Sequence, residues 1–161
     1  MTTPFTFADI ETHHPERVLH PMPRSECRPL QLPLYSGTVR AGFPSPADDY
    51  IEGLIDLNQH MVHDEPGTFM VRVAGDSMRD AAILPGDILV VERGLAPVDG
   101  NIVVAEIDGE FTVKELRREF GRIALCARNP AYPPILLREG QELVIFGVVT
   151  GLLRKFPGLR R

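Results

Sequence analysis

Two residue types that together could break a peptide bond stand in Gly75-Asp76-Ser77-Met78 and Glu110-Phe111-Thr112-Val113-Lys114. A serine hydroxyl becomes a nucleophile when a base takes its proton, and an amine serves as that base once it is neutral. Upstream of both, Ala41-Gly42 joins two small residues in a proline-punctuated stretch. A small-residue bond on the same chain suggests that the substrate is the chain itself.

The requirement falls on the lysine. An unperturbed lysine with a pKa of about 10.4 is neutral in fewer than about one molecule in a thousand at pH 7. Bringing it to about 7 means destabilising the ammonium by roughly 4.6 kcal/mol. Burial alone shifts a lysine by up to about 3–5 units, so the chemistry calls for no metal, cofactor or second acid. Ser77 has a plainer role open to it, because Ser77-Met78-Arg79-Asp80 matches a capping box and a serine so placed most often caps a turn. The roles are compatible: a strand-to-turn corner presents free backbone N–H groups, and those of Asp76 and Ser77 could hold a developing oxyanion. No histidine is better placed. His13, His14 and His20 lie in the N-terminal arm, and His60 and His63 lie near the end of the helix expected behind it.

The elements that must position these groups are mostly strands. Phe69–Val73 reads as a strand ending at Gly75, and Pro85-Gly86 as a type II turn leading into a second strand at 87–91. Asp108-Gly109 is a two-residue hairpin signal between strands at 101–107 and 110–116. Such a turn pairs Ile107 with Glu110 and, counting back, Val103 with Lys114. Lys114 then shares a face with Val103, Ala105, Thr112 and Leu116, while Ile102, Val104, Phe111 and Val113 take the other. Both faces are largely apolar, so the strand is covered on each side and Lys114 is partly desolvated. Further strands are expected at 122–126 and 143–153, the last bent or bulged at Gly147 and Gly151.

Residues 1–44 form a different region, an extended proline-rich arm. Residues 1–46 hold Pro4, Pro15, Pro21, Pro23, Pro29, Pro33, Pro44 and Pro46, eight of the 15 prolines, and these would interrupt any helix-turn-helix. The arm is expected to be ordered only where it lies on a partner surface. Ser45-Pro46-Ala47-Asp48 then looks like a helix start, with Tyr50, Ile51, Leu54 and Ile55 at helical spacing behind it. The remainder, residues 45–161, reads as a compact, curled, mainly β domain with one short helix.

Composition narrows the function. The 161 residues are 43% hydrophobic, which is enough for one core. A net charge of −5 offers no general attraction to phosphate backbones, so direct specific DNA binding is not expected. Cys27 and Cys126 form no framework and no metal-ligand spacing. No apolar run suits a signal peptide or a membrane span, which points to a cytoplasmic protein with no membrane contact.

Five segments carry a resemblance: Gly42-Phe43-Pro44-Ser45-Pro46-Ala47-Asp48-Asp49-Tyr50, Ile55-Asp56-Leu57-Asn58-Gln59, Gly75-Asp76-Ser77-Met78, Asp108-Gly109-Glu110-Phe111-Thr112-Val113-Lys114 and Phe146-Gly147-Val148-Val149. From about Leu34 to the C-terminus the chain resembles the UmuD/LexA-like self-cleaving serine peptidases. The resemblance implies Ser77 as nucleophile, Lys114 as general base and Ala41-Gly42 as the self-cleaved bond. It also implies a bacterial homodimer whose cleavage is stimulated by RecA filaments on single-stranded DNA. The processed form would then join a UmuC-like Y-family DNA polymerase in error-prone lesion bypass, as part of the SOS response. Other readings are a non-catalytic module that only binds polymerase or RecA, a fragment of a LexA-type repressor, and a signal-peptidase-like enzyme, the last disfavoured by the missing anchor.

Overall fold

The computed structural model describes residues 29–35, 51–64, 66–119, 122–137, 140–156 and 158. They fall into two units, divided near His63. The smaller unit pairs β1 (Gln31–Tyr35) antiparallel with β2 (Ile51–Asp56), setting Leu32 opposite Ile55 and Leu34 opposite Gly53. Pro33 is tolerated because a two-stranded sheet consists of edges. A single helical turn, α1 (Leu57–Met61), follows; the Asp56 carboxylate caps it by accepting from the Asn58 N–H at 2.9 Å.

One sequence expectation is corrected here. The helix expected through Tyr50, Ile51, Leu54 and Ile55 is strand β2 over its described part, and the short helix begins only at Leu57. β-branched Ile51 and Ile55 and the intervening Gly53 are poor helix formers, whereas each fits a strand with a partner. That partner is β1, so part of the segment assigned to the arm is itself ordered strand. The capping motif at 45–48 lies outside the described residues, as does Ala41-Gly42.

The larger unit is one antiparallel sheet. Its strands are β3 (Thr68–Arg72), β4 (Ile88–Glu92), β5 (Ile102–Ile107), β6 (Glu110–Glu119), β7 (Arg122–Cys126), β8 (Ile135–Leu136) and β9 (Leu143–Leu153), in the spatial order β3-β4-β9-β5-β6-β7-β8. The mainly β class expected from the alternation is the class observed. Asp108 and Gly109 both have positive φ, 50° and 88°, as a two-residue hairpin turn needs, and Val103 pairs with Lys114 as counted. At Pro85-Gly86 the Asp87 N–H reaches back to the Leu84 carbonyl at 3.1 Å. Gly86 has φ +92°, which a type II turn requires at its third residue.

Successive residues of β5 feed opposite cores, Val103 and Ala105 packing with Leu116, Leu125 and Ile145, and Val104 with Met78, Leu89 and Phe146. The central strand β9 curls the sheet. Its register with β5 jumps beside Gly147, and its register with β4 jumps beside Gly151. At Gly147 a Cβ would lie 2.7 Å from the Glu92 carbonyl oxygen, so backbone would have to move to admit a side chain. We expect Gly147→Ala to destabilise the sheet by about 1–3 kcal/mol, measured by denaturant unfolding.

The end of β9 is tied back to the loop before β4. Arg154 donates through Nε and Nη2 to the two oxygens of buried Asp87, each at 2.6 Å, and through Nη2 to the Ala82 carbonyl at 2.5 Å. The Arg154 hydrogen bond, reinforced by the Leu84 N–H, lowers the Asp87 carboxyl from 3.8 to about 2. A lowered carboxyl contributes stability above its unfolded value and loses it as pH falls through its folded value. Asp87→Asn should therefore be less stable than the parent at pH 7. The gap should close between pH 3.8 and about 2, as a pair of thermal-melt series against pH would record.

Candidate active site

The segment between β3 and β4 does not continue the ladder. It turns at Gly75, where φ is +80°, runs through a single 3₁₀ turn at Arg79–Ala81 and leaves through Ala82 with φ 58°. Met78, 2% exposed, drives its side chain into the core beside Val73, Ile83 and Leu89, and its carbonyl accepts from Ala81 and Ile83. Ser77 is thus held at a tight corner by an anchored neighbour. The 3₁₀ turn is capped at Met78 with no side-chain hydrogen bond, so the Ser77 hydroxyl is not serving the turn as a cap.

That hydroxyl meets Lys114 instead. Lys114 Nζ lies 3.0 Å from Ser77 Oγ, 2.8 Å from Thr112 Oγ1 and 3.1 Å from the Val113 carbonyl oxygen. The side chain is 7% exposed, and burial pushes its pKa below the ordinary lysine value. The three acceptors match the three N–H bonds of the ammonium, and the neutral amine keeps two of them. Two N–H bonds can point to Val113 and Thr112, which leaves the lone pair facing the Ser77 O–H. The geometry can therefore pass a proton from Oγ to Nζ without rearrangement.

A cleft of ≈ 390 Å³ opens over the pair, walled by Val71, Val73, Val104, Phe111, Val113 and Tyr132. Phe111 stands over Phe146 with ring centroids 4.9 Å apart, which fixes that wall. The walls are mostly apolar, and Arg72, Asp76 and Thr112 join Ser77 and Lys114 as polar members of the lining. Among the described residues, none accepts a hydrogen bond from the backbone N–H of Asp76 or Ser77.

Two contributors were not evident from the sequence. Asn129 and Tyr132, in the loop between β7 and β8, bond to Asp76 from 53 and 56 residues away. Their only sequence signal is Asn129-Pro130, which reads as an ordinary turn. His60 and His63 belong to the smaller unit, while His13, His14 and His20 lie outside the described residues.

A serine hydroxyl set against a buried amine, in the loop that leaves a strand of a curled antiparallel sheet, fits the class of serine hydrolases. Comparison with known proteins makes the assignment specific: a family model described as Peptidase S24-like matches residues 33–150, and the chain belongs to that family. It is similar to Protein SamA of Salmonella typhimurium, 47% identical over 81% of this chain and 91% of that protein. Protein ImpA of Escherichia coli is 41% identical over 80% of this chain and 87% of its own length. The LexA repressor of Geobacter metallireducens is 44% identical over 76% of this chain, but only 60% of the repressor is matched. The chain is accordingly a UmuD/LexA-like protein with an SOS-related role, and a serine peptidase of a generally self-cleaving kind.

The buried lysine has a cost that can be measured. Below its lowered pKa both folded and unfolded states hold the proton, and the folded state bears the desolvation in full. Between that pKa and the ordinary value near 10.5 the unfolded chain binds more protons, so stability climbs with pH. Lys114→Met should raise Tm at pH 7, with a gain that shrinks as pH approaches 10.5. A gain that grew with pH would contradict the sign.

Proposed function

We propose that the chain cleaves itself at Ala41-Gly42, with Ser77 as nucleophile and Lys114 as general base. The observation that carries this reading is the 3.0 Å approach of Nζ to Oγ by an amine whose charged form is disfavoured by burial. Neutral Lys114 takes the Ser77 proton as Oγ attacks the Ala41 carbonyl carbon. The carbonyl oxygen becomes an oxyanion, held by the backbone N–H groups of Asp76 and Ser77. Collapse breaks the bond to Gly42, whose nitrogen leaves with the proton from Nζ. Lys114, neutral again, activates a water that hydrolyses the Ala41 ester on Ser77.

Control follows from tethering. A bond on the same chain as its nucleophile has a high effective concentration, so an always-docked segment would be cut soon after synthesis. A partner that binds only the docked form raises the rate by shifting that population and supplies no catalytic group. The RecA filament on single-stranded DNA is that partner in this reading. The processed protein, a cytoplasmic homodimer, then joins a UmuC-like Y-family DNA polymerase for error-prone translesion synthesis. The family and the similarity to SamA, ImpA and LexA proteins support the SOS-related role; the filament, the dimer and the polymerase are this reading's own.

Purified full-length chain at about pH 10 should release a fragment whose N-terminal residue is Gly42. Ser77→Ala and Lys114→Ala should each abolish it while leaving the sheet folded, and the double variant should be no worse, because the two groups act as a unit. The unassisted rate should rise with pH to a plateau, with a midpoint at the Lys114 pKa in the cleavage-competent state. A filament should accelerate cleavage at neutral pH with both residues still required. Cleavage that survives Lys114→Ala at neutral pH, or a rate flat from pH 6 to 10, would remove the lysine from the mechanism.

A further inference from the structure

Asp76, the residue before Ser77, has all three of its oxygens engaged. Its backbone carbonyl accepts from Asn129 Nδ2 and from the Arg79 N–H, each at 3.1 Å. Its carboxylate accepts from Asn129 Nδ2 at 3.3 Å and from the Tyr132 hydroxyl at 2.6 Å. Capping a turn requires none of the contacts from the β7–β8 loop, since the Arg79 N–H already closes it.

The loop that supplies them is itself fixed. Asn129 is 2% exposed, its Oδ1 accepts from the Ala131 N–H at 3.0 Å, and its carbonyl accepts from the Tyr132 N–H at 3.0 Å. The Ala131 bond makes Oδ1 the acceptor and Nδ2 the donor, so the amide orientation follows from the network. Just before it, the Arg128 carbonyl accepts from the Asp80 N–H at 2.8 Å, and the Arg128 side chain pairs with buried Glu115, which follows Lys114 on β6. The loop therefore spans from the strand that carries the amine to the turn that carries the hydroxyl.

The consequence lies in the peptide plane. In a trans peptide the carbonyl of Asp76 and the N–H of Ser77 point in opposite directions within one rigid plane. Fixing the carbonyl against Asn129 and Arg79 aims the Ser77 N–H to the other side. We propose that Asn129 and Tyr132 are positioning residues for the reaction: by holding Asp76 they keep the Ser77 N–H aimed at the developing oxyanion. This rests on the reading of Ser77 as the nucleophile. Neither residue exchanges a proton with substrate. The Asp76 carboxylate pushes the Tyr132 phenol above the ordinary tyrosine value, which favours the protonated hydroxyl that donates to it.

The test is self-cleavage of the full chain followed against pH. Tyr132 is 43% exposed, and Tyr132→Phe removes only the hydroxyl, so its fold should be intact. Its plateau rate should fall by about tenfold, since small misplacements of a reacting group cost up to about a hundredfold. The pH midpoint should not move, because Lys114 is untouched, and Tm should match the parent. Asp76→Ala should show a loss at least as large, and adding Tyr132→Phe to it should change nothing further. That non-additivity separates action through Asp76 from a general weakening of the loop or a direct contact with the cleaved segment.

An unchanged plateau in Tyr132→Phe, a displaced midpoint, or effects that multiply in the double variant would each overturn the proposal. Asn129→Ala should be slower still, though as a buried residue it also risks the fold, so the tyrosine variant carries the decision. Ser77→Ala run beside them separates two failures. If it still yields the Gly42 fragment, the nucleophile assignment falls; if it is inert while Tyr132→Phe cleaves like the parent, the positioning role alone falls.

Discussion

An amine can act as a base near neutral pH only where its charged form has been made costly, and the large unit is arranged around that condition at Lys114. The residue sits on β6, an interior strand paired on both sides by β5 and β7, with apolar side chains on either face. Strand periodicity makes the placement all-or-none. A slip of one residue in the β5–β6 hairpin would carry Lys114 to the other face and away from Ser77. The positive φ values at Asp108 and Gly109 select a two-residue turn, so the register of a ten-residue strand is set by two backbone conformations.

The hydroxyl is held as firmly as the amine, by different means. Met78 is inserted in the core directly after Ser77, Arg154 fixes the exit of the loop through Ala82 and Asp87, and the β7–β8 loop grips Asp76 directly before it. These restraints come from different parts of the chain and converge on one corner. A left-handed, non-glycine residue at Ala82 persists there because its surroundings over-determine it. With both reacting groups on a fixed frame, regulation in the proposed reaction falls to the segment being cut and not to the site.

The chain is similar to SamA and ImpA over nearly their full lengths and to LexA repressors over part of theirs, so its relatives differ in name and in length. Function within such a family is therefore argued from the dyad and its cleft, and the fold alone decides less.

Much of this was legible in the residues. Alternating apolar positions, Asp108-Gly109 and Pro85-Gly86 specify strands and turns locally, and the hairpin count placed Lys114 opposite Val103 before any coordinates. The Ile51–Ile55 stretch misled for an equally local reason: Ile51, Leu54 and Ile55 satisfy a helical spacing as readily as a strand. Only pairing with Leu32 and Leu34, some twenty residues upstream, decides between them. The candidate dyad was readable as two residue types in two motifs, but the 3.0 Å approach depends on how a curled sheet brings the end of β3 to the middle of β6. Asn129 and Tyr132 left only the turn signal of Asn129-Pro130, since a turn asparagine and a half-exposed tyrosine look ordinary until the chain folds. The sequence by itself determined the strand periods, the hairpin register and the chemical types available. Tertiary structure alone decided which of those groups meet and how dry the lysine becomes, because contact between distant residues and loss of water are properties of the packed sheet and not of any local segment.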